Sequence, residues 1–181
     1  HSVVAFDPSG RKQVPVDKIT CSLEGDGADR VAAFVDRHNG RNNLYFHVNA
    51  PRADFDGFKA SDADIVWLRA IPVDKDPEGI GDISAERLAN VQLFVDLTKA
   101  CRPGCMTDSG NGHWAYFKFP EPMRNNDENG AWYRAQCRAL ATMMGSDSVV
   151  DPSRIARLPG TINVPDAVKR SKGRKPALAS V

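Results

Sequence analysis

The sequence predicts an α/β or α+β domain, on the strength of its length and of two kinds of pattern. At 181 residues, with 41% hydrophobic and 26% charged residues, the chain fits one soluble domain, or one domain built from two small lobes. Apolar runs of strand length end at charged residues or at Pro and Gly. They alternate with stretches whose apolar side chains recur at helical spacing.

The predicted helices and strands follow one another along the chain. They are a helix at 29–38, a strand at 44–48, a strand at 65–74, a helix at 84–101, a strand at 113–119, a helix at 130–144, a strand edge at 149–151 and a turn or single helical turn at 152–158. Ser84 is the expected N-cap of its helix, and Gly145 ends the following one. The apolar face expected for the helix at 84–101 consists of Leu88, Val91, Phe94, Val95 and Thr98.

Two carboxylates close the apolar strand at 65–74. Asp74 and Asp76 are two residues apart, and alternate side chains of a strand point to the same face. Paired carboxylates repel each other unless a cation lies between them, and Mg²⁺ or Mn²⁺ prefers such oxygen ligands. The pair therefore predicts metal-assisted phosphoryl or nucleotidyl transfer, with solvated turn acids as the alternative. The upstream copy, Asp62-Ala63-Asp64, precedes its apolar run and is interpreted as structural.

A glycine-rich turn leads into the aromatic strand at 113–119. Gly110 and Gly112 would let backbone N–H groups approach a phosphate, to which Ser109 and His113 could also donate hydrogen bonds. An ordinary hairpin turn is the alternative. On the strand itself, Tyr116 could stack against a base or a sugar, whereas core packing fits the neighbouring aromatic residues better.

A further acid, Asp151, again ends an apolar run and can complete a three-carboxylate metal cluster with Asp74 and Asp76. Arg154 and Arg157 are three residues apart, so a helical turn would place both guanidinium groups on one side. Such groups suit a triphosphate or a nucleic-acid backbone. Surface arginines in a proline-bounded loop are the alternative.

These motifs together resemble those of the archaeo-eukaryotic primase superfamily, specifically its bacterial and phage primase-polymerase branch, which is often fused to a helicase. The matching strings are Asp74-Lys75-Asp76, Ser109-Gly110-Asn111-Gly112, and Asp151 with Arg157-Leu158-Pro159-Gly160-Thr161-Ile162-Asn163. The resemblance covers about residues 30–165, and its last string is the most specific.

The resemblance implies an RRM-like catalytic core with an antiparallel or mixed sheet, a smaller N-terminal α/β lobe and a cleft between them, all within residues 1–165. It implies a template-directed DNA primase or DNA polymerase that joins nucleoside triphosphates to a primer or initiating nucleotide. DNA template and primer, and a helicase domain or subunit of the full-length protein, are the implied partners. Two Mg²⁺ or Mn²⁺ ions would be held by Asp74, Asp76 and Asp151. The nucleotide would be bound by Ser109, Gly110, Gly112, His113, Arg154 and Arg157.

One departure from the family pattern concerns the middle motif. The family commonly places a histidine two residues after the second glycine, where this chain has Trp114, and His113 comes one residue earlier. Adjacent strand residues face opposite sides. Either a local bulge brings His113 into the site, or Ser109, backbone amides and arginines contact the phosphate instead.

Residues 166–181 are expected to form a basic tail or linker. From residue 167 onward there are five Lys and Arg residues and no acid, so the rest of a chain with net charge +1 is mildly acidic. Lys169, Arg170 and Lys172 are the candidate nucleic-acid contacts in this segment. A disordered solubilising end is the alternative.

Composition bears on location and on other functions. No apolar stretch is long enough to span a membrane and no secretory signal is present, so a cytoplasmic protein is expected. Cys101, Cys105, Cys137 and His113 could be assembled into a zinc site, but their spacing matches no compact knuckle and ordinary thiols are favoured. A non-catalytic replication-initiator or single-strand-binding module and a metal-dependent nuclease remain the alternative functions.

Overall fold

The computed structural model describes residues 1–10, 12–22, 24–79, 82–97, 99, 103–171 and 173–181. Ten strands, four α-helices and one 3-10 turn are found among them. The strands are β1 Ser2–Asp7, β2 Val14–Thr20, β3 Asn43–His47, β4 Ala50–Pro51, β5 Ile65–Lys75, β6 Cys105–Asp108, β7 His113–Arg124, β8 Ile155–Arg157, β9 Ile162–Asn163 and β10 Ala177–Leu178. The helices are α1 Gly27–His38, α2 Ile83–Leu97, α3 Asp127–Met144 and α4 Ala167–Ser171, and the 3-10 turn is Asp62–Asp64.

Two four-stranded antiparallel sheets form the framework, and they confirm the predicted α+β class. The N-terminal sheet has the order β2-β1-β3-β8, and the second has the order β4-β5-β7-β6. Phe34 of α1 packs on the N-terminal sheet, against Ala5 and Leu44. Helices α2 and α3 cover the second sheet, with Phe94 and Tyr133 in its main core. None of the described helices is long and apolar enough to cross a membrane.

The central hairpin of β5 and β7 gives the second sheet two distinct faces. Ile71 and Val73 of β5 lie opposite Phe117 and Ala115 of β7, and all four belong to the core beneath α2 and α3. The alternate positions pack in a second cluster, where Ala70, Trp114 and Tyr116 meet Val48, which follows β3, and Ala156 of β8. The N-terminal lobe is the name used below for the N-terminal sheet together with α1 and the residues that follow β3. Side chains of a strand alternate between its two faces. Each side chain near the end of β5 or the start of β7 therefore points either to the helices or to the N-terminal lobe.

Most of the predicted elements are confirmed, with three corrections. The strand edge predicted at 149–151 is wrong, because the residue that bridges to β5 is Asp147. The apolar face predicted for α2 is wrong in part: Phe94 is 1% exposed, but Leu88 and Val95 are 71% and 44% exposed, and the remaining core contacts come from Leu93 and Leu97. The predicted N-cap is also displaced, because the helix begins at Ile83 and the Asp82 carboxylate accepts a hydrogen bond from the Ser84 N–H. Thr98 lies outside the described residues.

A further correction concerns residues 155–157, which form β8 against β3 instead of a helical turn. Arg157 lies in this strand opposite Tyr45, and Arg154 precedes it. Residues three apart in an extended chain point to opposite sides. The expectation that Arg154 and Arg157 share one side of a helical turn is therefore wrong.

Asn49 joins the two lobes through a buried amide that is only 1% exposed. Its Oδ1 accepts hydrogen bonds from the N–H groups of Arg69 and Ala70, at 2.7 and 3.2 Å. Its Nδ2 donates to the Tyr133 hydroxyl and to the Pro152 carbonyl, both at 3.0 Å. One side chain thus satisfies polar groups from β5, from α3 and from the loop that follows α3.

Replacing Asn49 by alanine is expected to lower the free energy of unfolding by about 3 kcal/mol, because buried donors and acceptors lose their partners. Urea denaturation measures the change. Thr142→Ala, at an exposed position of α3, is the control and should shift the midpoint little. A midpoint for Asn49→Ala that equals the control would contradict the role assigned to this amide.

Candidate active site

Asp74 lies near the end of β5, on the side that faces the N-terminal lobe. Its register partner across the hairpin is Trp114, which belongs to the cluster on that side. The Asp74 Oδ1 atom is buried and has no hydrogen-bond partner among the described residues. Burial, followed by the charges of Asp76 and Asp147, raises the pKa of Asp74 to about 7. The folded chain therefore holds a carboxylate that it does not neutralise itself.

Asp76 lies just beyond β5 and its side chain is exposed. The glycine turn approaches it very closely: a Cβ atom added at Gly112 would lie 1.9 Å from Asp76 Oδ1 and 3.0 Å from Asp76 Cα. Gly112 is therefore required by the position of Asp76. Between the two acids, Lys75 donates a hydrogen bond to the Gly145 carbonyl, which ties the strand end to the end of α3.

Asp147 is a site acid that the sequence analysis missed. Its backbone N–H donates to the Asp74 carbonyl at 3.1 Å, in an isolated antiparallel bridge. Directly paired residues of antiparallel strands place their side chains on the same face, so Asp147 shares the face of Asp74. The sequence signal was faint, because Asp147 sits between serines just after Gly145 and ends no apolar run.

Asp151, the acid predicted for this place, is exposed and pairs with Arg154 at 3.0 Å. It lies four residues beyond the bridge that joins Asp147 to Asp74. The charge of Arg154 nevertheless lowers the pKa of Asp74, against the larger effects of burial and neighbouring acids. The Arg154 Nε atom is buried without a hydrogen-bond partner among the described residues.

Arg157 is a buried cation, 6% exposed, on β8. Its guanidinium lies over the ring of Tyr45, 4.3 Å from the centroid, and donates a 2.8 Å hydrogen bond to the Tyr45 hydroxyl. Burial lowers the pKa of Arg157, and its Nη1 atom has no hydrogen-bond partner among the described residues. No carboxylate of the described residues forms an ion pair with it.

The polar groups of the glycine turn, residues 108–112, form hydrogen bonds with one another. The Ser109 hydroxyl donates to the Gly112 carbonyl and accepts from the Gly112 N–H, both at 3.0 Å, and the Gly110 N–H donates to Asp108 Oδ1 at 2.7 Å. Gly110 has φ +83°, a conformation that favours glycine. Since these groups already have partners inside the turn, phosphate contacts by Ser109, Gly110 and Gly112 stay a prediction.

His113 lies on the helix side of the sheet. It is opposite Lys75 in β5 and Asp108 in β6, and both registers run without a bulge through this position. The ring is buried, which lowers its pKa, and Nε2 is 4.0 Å from Asp108 Oδ2. The bulge that would bring His113 to the face of Asp74 is absent from this register, and Trp114 occupies that face.

Tyr116 is buried in the cluster between the lobes. Its ring stacks with Trp114 at a centroid distance of 6.0 Å and lies 5.9 Å from the ring of Phe46. Burial raises the pKa of its hydroxyl well above the usual value. These contacts are those of core packing, and base stacking by Tyr116 stays a prediction.

The segment expected to be a tail or linker folds back onto the site. Strand β10 pairs with β9, Ala179 is 1% exposed, and Ser180 forms an isolated bridge with Asp108. Arg170 of α4 donates to the carbonyls of Pro165 and Ser9, at 2.8 and 3.4 Å. The positive charge of Lys169 lowers the pKa of Asp74, whereas Lys172 lies outside the described residues.

Two motifs are joined directly. The Asn163 side chain in β9 is buried and donates a 2.7 Å hydrogen bond to the Ser109 carbonyl, so the third motif is fastened to the glycine turn. The upstream acids have structural partners: Asp62 accepts from Ser153 and Arg134. Burial alone would raise the pKa of Asp62, but these hydrogen bonds outweigh it and lower the pKa.

The donor set around Asp74 fits a hard divalent cation. A buried carboxylate oxygen without a partner, beside two further acids of the same charge, is stabilised by such an ion. Within the part of the chain that the structure describes, no three His, Cys, Asp or Glu side chains already stand close enough to hold a metal. The carboxylates of Asp76 and Asp147 are exposed, and their charges help to raise the pKa of Asp74. Of the zinc candidates, Cys137 is buried in the α3 core and Cys101 lies outside the described residues.

The fold is similar to that of a solved structure. The AEP domain of the cyanophage S-2L primase-polymerase (PrimPol) matches 99% of this chain and 78% of its own chain, with a TM-score of 0.57 and 21% sequence identity. The chain thus has the fold of an archaeo-eukaryotic primase domain. No protein-family model and no curated protein sequence matches it.

Proposed function

We propose that this chain is a template-directed nucleotidyltransferase, a DNA primase or DNA polymerase that extends a primer or an initiating nucleotide with nucleoside triphosphates. The observation that carries the proposal is the unpartnered, buried Oδ1 of Asp74, beside Asp76 and Asp147 in a primase-polymerase fold. A domain that only bound nucleic acid would gain nothing from clustered negative charge next to a phosphate backbone. A helicase domain or subunit as a partner stays a prediction.

In this proposal Asp74 and Asp76 hold two Mg²⁺ or Mn²⁺ ions, together with a third carboxylate. The ions would supply activation of the attacking hydroxyl and charge stabilisation of the pyrophosphate that leaves. Gly112 keeps the turn close enough to hold Asp76 in place. Trp114 and the aromatic cluster beneath Asp74 partly shield its carboxylate from water, and this shielding strengthens its interaction with a cation.

The arginines are the phosphate contacts of the proposal. Arg154, whose charge lowers the pKa of Asp74, can exchange its surface ion pair with Asp151 for a phosphate oxygen. Arg157 keeps a buried charge without an acidic partner among the described residues, so an anion would complete its environment. Tyr45 fixes the orientation of its guanidinium.

Incorporation of a labelled nucleotide on a primed template, with and without Mn²⁺, tests the proposal. Metal-dependent extension accompanied by release of pyrophosphate is the expected result. Release of mononucleotides from the primer would identify a metal-dependent nuclease instead. Tight template binding with neither product would identify a non-catalytic binding module.

A matched pair of substitutions distinguishes whether Asp147 or Asp151 is the third metal ligand. Asp147→Asn is expected to lower the incorporation rate by roughly 100-fold or more, because this acid shares the face of Asp74. Asp151→Asn is expected to lower it less, through loss of the ion pair that positions Arg154. Steady-state kinetics at saturating Mn²⁺ distinguishes them. The reverse order of effects would restore Asp151 as the metal ligand predicted from the sequence.

A further inference from the structure

Trp67 is 41% exposed on the sheet face that also carries Asp74. Leu68 and its β7 partner Met123 pack in the core beneath α2 and α3. Because adjacent strand residues point to opposite faces, Trp67 and its own partner, Arg124, point away from the helices. Asp74 lies on that same side, seven positions further along β5. One face of the sheet therefore carries the acid near one end and an exposed indole near the other.

A guanidinium group lies over the Trp67 ring. The Arg124 Cζ atom is 5.5 Å from the ring centroid, which is a cation–π contact. The same guanidinium takes part in none of the ion pairs found among the described residues. An arginine that stacks on an aromatic ring can still donate hydrogen bonds to a phosphate through its edge. Trp67 thus holds an arginine in place without using its charge.

The surroundings of this pair are basic. The exposed charged side chains of β5 and β7 are Arg69, Lys118, Arg124 and a single acid, Glu121. Lys118 lies opposite Ala70, which packs on the face of the N-terminal lobe, and Arg69 lines a cavity shared with the N-terminal sheet. Neither cation forms an ion pair with an acid that the structure describes. The Trp67 surface is the name used below for Trp67, Arg69, Lys118 and Arg124.

Exposure of an indole is not by itself distinctive, as Trp132 shows. This residue of α3 is 45% exposed on the helix side of the sheet, and its ring contacts Phe119. No cation–π contact of the described residues involves it. What distinguishes Trp67 is the set of unpaired cations around it. An aromatic ring that can stack a base, among cations that can contact phosphates, has the composition of a site for single-stranded nucleic acid.

We propose that the Trp67 surface binds the single-stranded DNA template away from the acids, with a base stacked on Trp67 and backbone phosphates paired with Arg124 and its neighbouring cations. The inference rests on the proposed function, because it states where the template of that reaction is held.

The geometry of the sheet sets the length of template that the surface requires. Seven residues of strand span about 23 Å, and a stacked single strand advances about 3.4 Å for each nucleotide. Val48 and Ala156 cover the sheet face between the acids and Trp67, so the template passes along the edge of the N-terminal lobe. It reaches Trp67 about seven nucleotides from the acids.

Equilibrium binding tests the inference without requiring turnover. The affinity of the whole chain for a labelled oligothymidylate of about 15 nucleotides is measured by fluorescence anisotropy. Trp67→Ala is expected to raise the Kd about tenfold, the effect of losing one stacked base, and Trp67→Phe should recover most of the affinity. Arg124→Gln should weaken binding and lower the slope of log Kd against log salt concentration by about 0.7, the value for one phosphate contact on a single strand.

Trp132→Ala is the matched control, because it removes an indole of similar exposure from the opposite side of the sheet. Its Kd should change less than about twofold. An unchanged Kd in Trp67→Ala would overturn the inference and leave the exposed indole to a protein partner. An equal loss of affinity in Trp132→Ala would also overturn it, since binding would then not depend on this surface.

Template length gives a second measurement. The wild-type chain should have a lower KM for a primed template with a single-stranded overhang of about 15 nucleotides than for one of about three, which is too short to reach Trp67. Trp67→Ala should lose this difference, and a variant that retains it in full would contradict the inference.

The two proposals fail in different ways. Single-strand binding that depends on Trp67, in a chain that incorporates no nucleotide, would contradict the proposed function alone. Metal-dependent incorporation by a chain whose DNA affinity is the same with and without Trp67 would contradict the inference alone.

Discussion

Asp74→Asn is expected to abolish metal-dependent incorporation and, at the same time, to make the metal-free protein more stable at alkaline pH. The loss of activity should be roughly 100- to 1,000-fold or more, because the substitution removes the charge of the central metal ligand. The gain in stability has a separate cause, which is the burial of this carboxylate near Asp76 and Asp147.

The pH dependence follows from the direction of the pKa shift. Folding raises the pKa of Asp74 from 3.8 to about 7. The stabilisation that this group contributes is therefore complete below pH 3.8, in its protonated form, and is lost as the pH rises through about 7. At pH 8 the wild type carries the full penalty of a buried negative charge, and Asn removes it. Because Asp74 is partly exposed, the expected gain is discounted to about 2 kcal/mol, or roughly 4–8 °C in Tm for a chain of this size.

Thermal melts at pH 5 and pH 8, with and without Mn²⁺, measure both effects. The stability advantage of Asp74→Asn should grow between the two pH values, and Mn²⁺ should raise the Tm of the wild type much more than that of the variant. Asp64→Asn, in the upstream copy of the motif, is the control and should leave incorporation intact. Full activity of Asp74→Asn would remove the basis of the proposed function.

Ending the chain after Pro165 is expected to unfold or severely destabilise a domain that the sequence placed within residues 1–165. The truncation removes β10 and also four backbone hydrogen bonds of Ala179 and Ser180, two with Asp108, one with Gly160 and one with Thr161. It also removes the buried Ala179, which is 1% exposed, and so exposes to solvent the surface on which this residue packs. At about 1 kcal/mol for each hydrogen bond, the loss is roughly 4 kcal/mol before the apolar term.

Urea denaturation of the truncated chain, compared with the full chain, gives the size of this effect. Removal of Val181 alone, which is 88% exposed, is the control and should leave the midpoint unchanged. A truncated domain with the stability of the full chain would show that residues 166–181 are the dispensable tail expected from composition.

The sequence was most informative where local chemistry decides the structure. The apolar run into Asp74 predicts β5 within one residue, and Gly145 takes the left-handed conformation predicted for a helix end. These features depend on a few neighbouring residues, so they can be derived from pattern alone.

The sequence was least informative where contacts with residues distant in the chain determine the structure. Leu88 looks like a core residue of α2 but faces outward, because the sheet meets the helix along the row of Phe94 and Leu97. The five basic residues of the last segment predict a tail or linker, with a disordered end as the alternative, yet β10 of this segment pairs with β9. Asp147 could not be found from spacing, since only the bridge to Asp74 brings it to the site.

The contact between Gly112 and Asp76 makes these two positions one steric unit. A side chain of any size at position 112 would have to push the acid away from where it stands. Gly112 therefore determines where the Asp76 carboxylate lies, although Asp76 is 36 positions earlier in the chain. A substitution at either position requires a compensating change at the other, so Gly112 and Asp76 should be varied together in any redesign of this site.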